Sequence, residues 1–182
     1  MAHALTAVRL LLVVPVAVAF ARPEFAGPSV LVVLLGVAIA TDYWDGRVAR
    51  MTKTASARGQ LFDHGTDFAF VTAALAGAAT AGLVTPILPI LIVIAFGQYV
   101  LDSYFLHRQK QLRMNSLGRW NGILYFVPLL VVSVSRLGVA RDLASFLTVA
   151  ARVLSYALVA STVASVVDRA RASTRNHGER VD

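Results

Sequence analysis

Six long apolar runs divide the sequence, and they restrict the possible folds more than any other feature of the chain. They lie at 4–21, 30–45, 59–83, 90–107, 120–135 and 147–167. A run of about 17–25 apolar residues can cross the ~30 Å hydrocarbon core of a bilayer as a helix. Only 15% of the residues are charged, against about 25% in a soluble domain. The sequence therefore predicts an all-α integral membrane protein with six transmembrane helices.

The first run has a second interpretation as a signal peptide. Ala-Phe-Ala directly before Arg22 resembles a cleavage site. However, Arg9 lies inside the run instead of preceding it, so the positive flank of a signal peptide is weak. We therefore interpret 4–21 as the first span, and we expect Pro15 to kink it.

The basic residues predict the orientation of these spans. Twelve of the seventeen fall on one side: Arg47, Arg50, Lys53, Arg58, Arg108, Lys110, Arg113, Arg119, Arg169, Arg171, Arg175 and Arg180. Only Arg22, Arg136 and Arg141 fall on the other side. Because cytoplasmic loops are enriched in Lys and Arg, both termini are predicted to be cytoplasmic. We expect one transmembrane domain over 1–168 and a polar cytoplasmic tail over 169–182.

The net charge and the cysteine content narrow the function classes. A formal charge of +7 would suggest nucleic-acid binding in a soluble protein, but in a membrane protein it reflects basic loops and contact with anionic lipid. We expect no nucleic-acid partner. The chain has no cysteine, so disulfides and thiol chemistry are excluded.

Four carboxylates cluster at the predicted cytoplasmic ends of the second and third spans. Asp42 and Asp45 are three residues apart, and Asp63 and Asp67 are four apart, so each pair shares one helix face. In soluble proteins such pairs are most often solvated. Beside a bilayer, carboxylates are costly unless they are paired, hydrated or bound to metal. Oxygen ligands suit Mg²⁺ or Mn²⁺, and two such ions can clamp a transferring phosphoryl group.

The spacing of this cluster resembles a family signature. Asp42-x-x-Asp45-Gly46-x-x-Ala49-Arg50, then eight residues, then Gly59-x-x-x-Asp63-x-x-x-Asp67 is similar to the signature of the CDP-alcohol phosphotransferases at every fixed position. The signature covers 26 residues, and the hydrophobic profile of the rest of the chain also resembles that family.

The resemblance implies a function and a set of site residues. It implies that Asp42, Asp45, Asp63 and Asp67 hold metal, with two ions expected, and that Asp67 is the general base. Gly46, Ala49, Arg50 and Gly59 would line the CDP pocket. The implied reaction moves a phosphatidyl group from CDP-diacylglycerol to a small alcohol and releases CMP. The implied setting is a homodimer in a bacterial plasma membrane, with its active site facing the cytoplasm.

The acceptor is less constrained by the sequence. Ser116-Leu117-Gly118-Arg119 resembles a segment of family enzymes that use phosphorylated acceptors, such as glycerol 3-phosphate or inositol phosphate. Arg119, with Arg108 and Arg113, is a candidate acceptor-phosphate site, although such arginines also fit simple positive-inside topology. The family's phosphatidylglycerophosphate and phosphatidylinositol-phosphate synthases usually have Pro and Lys or Arg where this chain has His64 and Phe68. We expect no metal site at His64 or His107, which lack a spacing partner.

Three alternatives remain open at this point. The first is transfer from CDP-choline or CDP-ethanolamine to a lipid acceptor. The second is a divalent-cation transporter, although such sites lie near the middle of the membrane on broken helices, whereas these aspartates lie at predicted cytoplasmic ends beside arginines that would repel cations. The third is a non-catalytic membrane scaffold, which would leave the aspartate spacing unexplained.

Overall fold

The computed structural model describes the backbone of residues 2–51, 57–101 and 116–178, and side chains within 6–41, 43–44, 62–101 and 116–171. In these ranges the chain is helical and contains no strand. The helices are α1 (Ala2–Ala21), α2 (Pro28–Met51), α3 (Ala57–Thr80), α4 (Ile87–Leu101), α5 (Ser116–Leu124), α6 (Phe126–Ser135) and α7 (Arg141–Gly178). The all-α prediction is confirmed for the part of the chain that these ranges cover.

Length and composition mark two segments as able to cross a membrane. They are Ser116–Ser135, which consists of α5 and α6 together, and Arg141–Arg171 of α7. Thr6–Ala21, Pro28–Thr41 and Ile87–Leu101 are apolar but shorter. Six spans with both termini in the cytoplasm stay a prediction. Helix α7 continues to Gly178, so part of the region predicted as a tail is helical.

The predicted fifth span is divided at Tyr125, between α5 and α6. Pro128 lies in the first turn of α6 and has no N–H to donate to the carbonyl of Leu124. A proline ring also clashes with the carbonyl four residues earlier, which breaks or kinks a helix. Pro128 therefore accounts for the break at this position. The fifth span predicted over 120–135 lies within the apolar segment Ser116–Ser135, and the prediction did not include the break at Tyr125.

Helix α1 packs on both α2 and α3, and its contact with α3 is the most extensive between any two described helices. A Cβ atom added to Gly77 of α3 would lie 2.1 Å from the carbonyl oxygen of Ala17 in α1. Ala74 and Ala78 are fully buried beside it. Small residues let helix backbones approach closely, which is how helices associate in lipid.

This packing bears on where a dimer interface could lie. Small residues such as those in the middle of α3 are also suited to contact with a second copy of the chain in lipid. The structure uses that face inside the chain, against α1. The homodimer stays a prediction, and the buried Ala74, Gly77 and Ala78 are already occupied within the chain.

The end of the bundle opposite the carboxylates is held by specific hydrogen bonds. Arg136 donates from Nη1 to the Ala19 carbonyl (3.1 Å) and from Nη2 to the Phe20 carbonyl (3.0 Å). It thereby satisfies acceptors that the C-terminus of a helix leaves open. Gly82 adopts φ +70° where α3 ends, and the N–H of Thr85 donates to Ser155 of α7 (3.1 Å). These bonds fix α1 and α3 relative to α6 and α7.

Candidate active site

Two of the predicted metal ligands face a buried cation from another helix. Asp63 and Asp67 lie one turn apart on α3, and the side chain of each is about a quarter exposed, at 27% and 26%. Arg9 of α1 is fully buried. Its Nη1 lies 3.5 Å from Oδ1 of Asp63 and forms an ion pair with Oδ1 of Asp67. Arg9 therefore compensates the charge of the two carboxylates inside the helix bundle.

His64 belongs to the same cluster. The ligand atoms of Asp63, His64 and Asp67 all lie within 4.8 Å of one another. The expectation that His64 has no partner for a metal site is therefore wrong, because the partners are the two aspartates on either side of it. Two carboxylates and one imidazole are suitable donors for a divalent cation such as Mn²⁺, and the carboxylates alone suit Mg²⁺. The donor set fits the expected metal.

The other predicted site residues have less structural definition. Asp42, Asp45, Gly46, Ala49 and Arg50 lie in the last turns of α2, and Gly59 lies in the first turn of α3, but their side chains fall outside the described residues. Arg108 and Arg113 lie outside the described residues entirely. The convergence of all four aspartates on one centre, and the CDP pocket beside it, therefore stay predictions.

A cavity of about 510 Å³ opens beside Asp67 and His64. Residues of α2 to α7 line it. Along α5 and α6 the lining runs from Gly118 to Leu130, roughly 18 Å at the helical rise per residue. Ile123 and Leu130 line it and are also exposed, so part of the opening faces outward between helices. Asp67 is thus accessible from one large internal space.

Most of the cavity wall is apolar. Phe68, directly after Asp67, stacks on Phe96 of α4 with ring centroids 4.1 Å apart and planes 10° from parallel. Offset stacking of this kind is favourable beyond the area it buries. Phe68 takes the position at which a Lys or Arg was expected by resemblance, and here that position supports the packing of α3 on α4.

The cavity also contains a small number of hydrogen-bonding side chains from α4, α5 and α7. Asn121 and Gln98 each form one hydrogen bond to α7. Ser161 Oγ donates to Asn121 Oδ1 (2.6 Å), and Gln98 Nε2 donates to the Val166 carbonyl (3.2 Å). Tyr125 Oη lies 2.8 Å from Thr162 Oγ1. Because the Thr162 hydroxyl donates to the Leu158 carbonyl, Tyr125 is the donor in that pair.

Two arginines line the same cavity as Asp67. Arg119 is exposed in the first turn of α5, and Arg169 of α7 places its guanidinium carbon 5.1 Å from the centre of the Tyr99 ring. A guanidinium over a tyrosine face is held by a cation–π attraction. The cavity therefore has a carboxylate of the metal cluster and two cations on its wall.

A family model described as CDP-alcohol phosphatidyltransferase matches residues 1–164. The chain belongs to the CDP-alcohol phosphatidyltransferase family. The match covers α1 to α6 and most of α7. No curated protein and no solved structure matches the chain at a significant level. Members of this family are integral membrane transferases that generally use a divalent metal, so the transporter and scaffold alternatives have no support.

Sequence reasoning did not assign four cavity residues of this family member to the site: His64, Gln98, Asn121 and Arg169. Arg169 was used for topology alone. Gln98 lies within an apolar run and Asn121 at the start of one. Polar side chains inside membrane helices are expensive and are most often functional. Their position within the runs was therefore the signal that could have identified Gln98 and Asn121.

Proposed function

We propose that the protein transfers a phosphatidyl group from CDP-diacylglycerol to a small phosphorylated alcohol, with release of CMP. We further propose that it acts as a homodimer in a bacterial plasma membrane, that residues 1–168 form the catalytic domain, and that the active site faces the cytoplasm. The orientation is supported by the twelve basic residues on the predicted cytoplasmic side.

One observation carries this proposal: Asp67 lines the same cavity as Arg119 and Arg169. An acceptor in that cavity can present a hydroxyl to the carboxylate while its phosphate contacts an arginine. Guanidinium groups bind phosphate as bidentate forks. Since the acceptor must be both bound and deprotonated, a cavity with both kinds of group supports this substrate class.

The proposed step is a substitution at the phosphorus atom that bears the lipid. Asp67 accepts the proton of the acceptor hydroxyl, and the hydroxyl oxygen forms a bond to that phosphorus. The bond between the phosphorus and the bridging oxygen breaks, and CMP leaves with the electron pair. The ion pair with Arg9 uses Oδ1 of Asp67, so we assign the proton to the second carboxylate oxygen.

The residues of the cluster also define where metal would bind. Asp63 and Asp67, with His64 in reach and with Asp42 and Asp45 from α2, would hold it. When bound, a divalent ion offsets the negative charge of the diphosphate and of the leaving phosphate. Arg50 of α2, with Gly46, Ala49 and Gly59, would bind the CDP group by the family signature.

CMP release from labelled CDP-diacylglycerol tests the proposal. Purified protein in lipid nanodiscs receives glycerol 3-phosphate, inositol 1-phosphate, serine, or no acceptor. We expect release only with a phosphorylated acceptor. Asp67→Asn should reduce turnover by at least about a hundredfold, in the range for loss of a general base. Normal turnover by Asp67→Asn would refute the assignment of the base.

The phosphate contact has its own test with a matched control. Arg119→Ala should raise the apparent acceptor KM by roughly ten- to a hundredfold, since a charged hydrogen bond contributes about 1.5–3 kcal/mol. The KM for CDP-diacylglycerol should stay unchanged. Arg171→Ala removes an exposed arginine that does not line the cavity and should leave both constants unchanged. If only the CDP-diacylglycerol constant changes in Arg119→Ala, the phosphate assignment is wrong.

The apolar cavity wall supports a second candidate. Phe96, Phe126 and Val127 are among its apolar lining residues, and an opening beside exposed Ile123 and Leu130 would let a lipid alcohol enter from the bilayer. The reaction would then use CDP-choline or CDP-ethanolamine as donor and diacylglycerol as acceptor. The same assay with these two donors and diacylglycerol vesicles distinguishes the candidates.

A further inference from the structure

Two carboxamide side chains in the cavity have polar atoms that the protein does not use. Asn121 is only 2% exposed, and its Nδ2 has no hydrogen-bond partner in the described part of the chain. Oε1 of Gln98 is likewise buried and without a partner there. Both residues line the cavity. A buried polar atom without a partner is costly, so each such atom in a native structure needs an explanation.

The other end of each carboxamide is already fixed, which determines what is left over. Gln98 donates from Nε2 to the Val166 carbonyl (3.2 Å), so its remaining atom is a hydrogen-bond acceptor. Asn121 accepts at Oδ1 from Ser161 (2.6 Å), so its remaining atom is a donor. Both partners lie on α7, so this helix orients the two amides. The cavity therefore contains one oriented donor and one oriented acceptor on a mostly apolar wall.

A hydroxyl group can serve both atoms, because it can accept one hydrogen bond and donate another. A phosphate ester dianion only accepts, so the oxygen of Gln98 would repel it. A trimethylammonium group has no hydrogen-bonding atom. A zwitterionic amino acid would need two separate groups for the two atoms, its ammonium for Gln98 and its carboxylate for Asn121, whereas one hydroxyl can serve both.

We propose that Gln98 and Asn121 recognise a hydroxyl of the acceptor other than the one that attacks phosphorus. The acceptor is thereby a polyhydroxy alcohol, and Gln98 and Asn121 are specificity-determining residues. This inference rests on the proposed transferase function and extends it by naming the acceptor class. Asn121 lies two residues after Arg119, and Gln98 directly precedes Tyr99, which contacts Arg169. The two amides and the two arginines all line one cavity, so a polyol phosphate held there by an arginine keeps its remaining hydroxyls in the space that the amides border.

The test compares each acceptor with an analogue that lacks one non-reacting hydroxyl. Glycerol 3-phosphate is compared with 3-hydroxypropyl phosphate, and inositol 1-phosphate is compared with its monodeoxy analogues. For the acceptor that turns over, we expect loss of the recognised hydroxyl to lower kcat/KM by roughly ten- to a hundredfold, because an analogue without it leaves buried polar groups unpaired. The wild-type comparison needs no variant, so it remains decisive even if a substitution prevents folding.

The variants Asn121→Leu and Gln98→Met assign that preference to the two amides. In each variant, the kcat/KM values for an acceptor and for its deoxy analogue should differ by no more than about threefold. This is the result that a double-mutant cycle gives for interacting groups. Thr72→Val is the matched control, because Thr72 Oγ1 is also buried without a partner in the described residues but does not line the cavity. It should keep the full wild-type preference.

The outcomes separate this inference from the proposed function. If no acceptor supports CMP release, the proposed function fails first. If polyol phosphates react but their deoxy analogues react equally well, the function stands and the recognition by Gln98 and Asn121 is wrong. A preference for serine over every polyol would also overturn it, as would a wild-type preference that survives unchanged in both variants.

Discussion

The ion pair between α1 and α3 allows a quantitative prediction for Arg9→Met in the absence of metal. The substitution keeps much of the side-chain volume and removes the cation that faces Asp63 and Asp67. Two carboxylates four residues apart then repel each other. Breaking a fully buried pair costs about 3–5 kcal/mol. Because each carboxylate is about a quarter exposed, water offsets part of this loss. We expect a destabilisation of about 2–3 kcal/mol.

The assay is equilibrium unfolding in mixed micelles with excess chelator, followed by helical circular dichroism. Arg22→Met is the matched control, because Arg22 is exposed in the α1–α2 connection and its loss should change stability by less than about 0.5 kcal/mol. Adding Asp67→Asn to Arg9→Met removes one of the uncompensated charges. The double variant should therefore be destabilised by less than the sum of the two single variants.

Divalent cation should rescue Arg9→Met more than it stabilises the wild-type protein. A cation at Asp63 and Asp67 takes over the compensation that Arg9 provides, and a ligand that binds only the folded state stabilises it by mass action. Saturating Mn²⁺ should therefore reduce the difference in free energy of unfolding between Arg9→Met and the wild-type protein. Arg9 is not the counter-ion of this cluster if Arg9→Met is as stable as Arg22→Met in chelator. The same conclusion follows if Mn²⁺ leaves the stability difference between Arg9→Met and the wild-type protein unchanged.

Three further predictions follow from the packing and the site. Gly77→Ala should destabilise the protein by about 1–3 kcal/mol or more, because the added Cβ would overlap the Ala17 carbonyl. Gly36 has open space around it, so Gly36→Ala should be neutral or stabilising in the same unfolding assay. Arg136→Met should lower the free energy of unfolding by about 1–3 kcal/mol, because it leaves the last carbonyls of α1 unpaired. An unchanged unfolding midpoint would contradict this. CMP release should stop in excess chelator and return with Mg²⁺ or Mn²⁺, and turnover that persists in chelator would exclude metal dependence.

The sequence predicted the helices better than their arrangement. Apolar runs located α1 to α4 because a lipid-facing helix must be apolar over most of its length. The break at Tyr125 was not predicted, although Pro128 lies within the run. A proline in a membrane helix can be tolerated or can divide it, and neighbouring packing decides which occurs. The continuation of α7 to Gly178 was missed because a polar sequence carries no hydrophobic signal for a helix.

The candidate site could be predicted only where its residues are close in sequence. The pairing of Asp63 with Asp67 follows from one helical turn, whereas the pairing of Arg9 with both depends on how α1 packs on α3. In lipid-exposed helices the apolar residues do not mark a single inward face, so helix neighbours cannot be read from one pattern. For the same reason Gln98 and Arg169 were not assigned to the cavity, although both carry polar groups.

The short helix α5 has a consequence for how acceptor preference can change between related enzymes. Arg119, Asn121 and Ile123 line the cavity from this nine-residue segment, while the aspartates lie on α2 and α3. The break at Tyr125 separates α5 from the rest of its span. Exchanging 116–124 would therefore alter the part of the cavity wall that α5 contributes and leave the carboxylate cluster and its Arg9 partner in place. Selection for a new acceptor can act on this small replaceable unit without rebuilding the catalytic machinery.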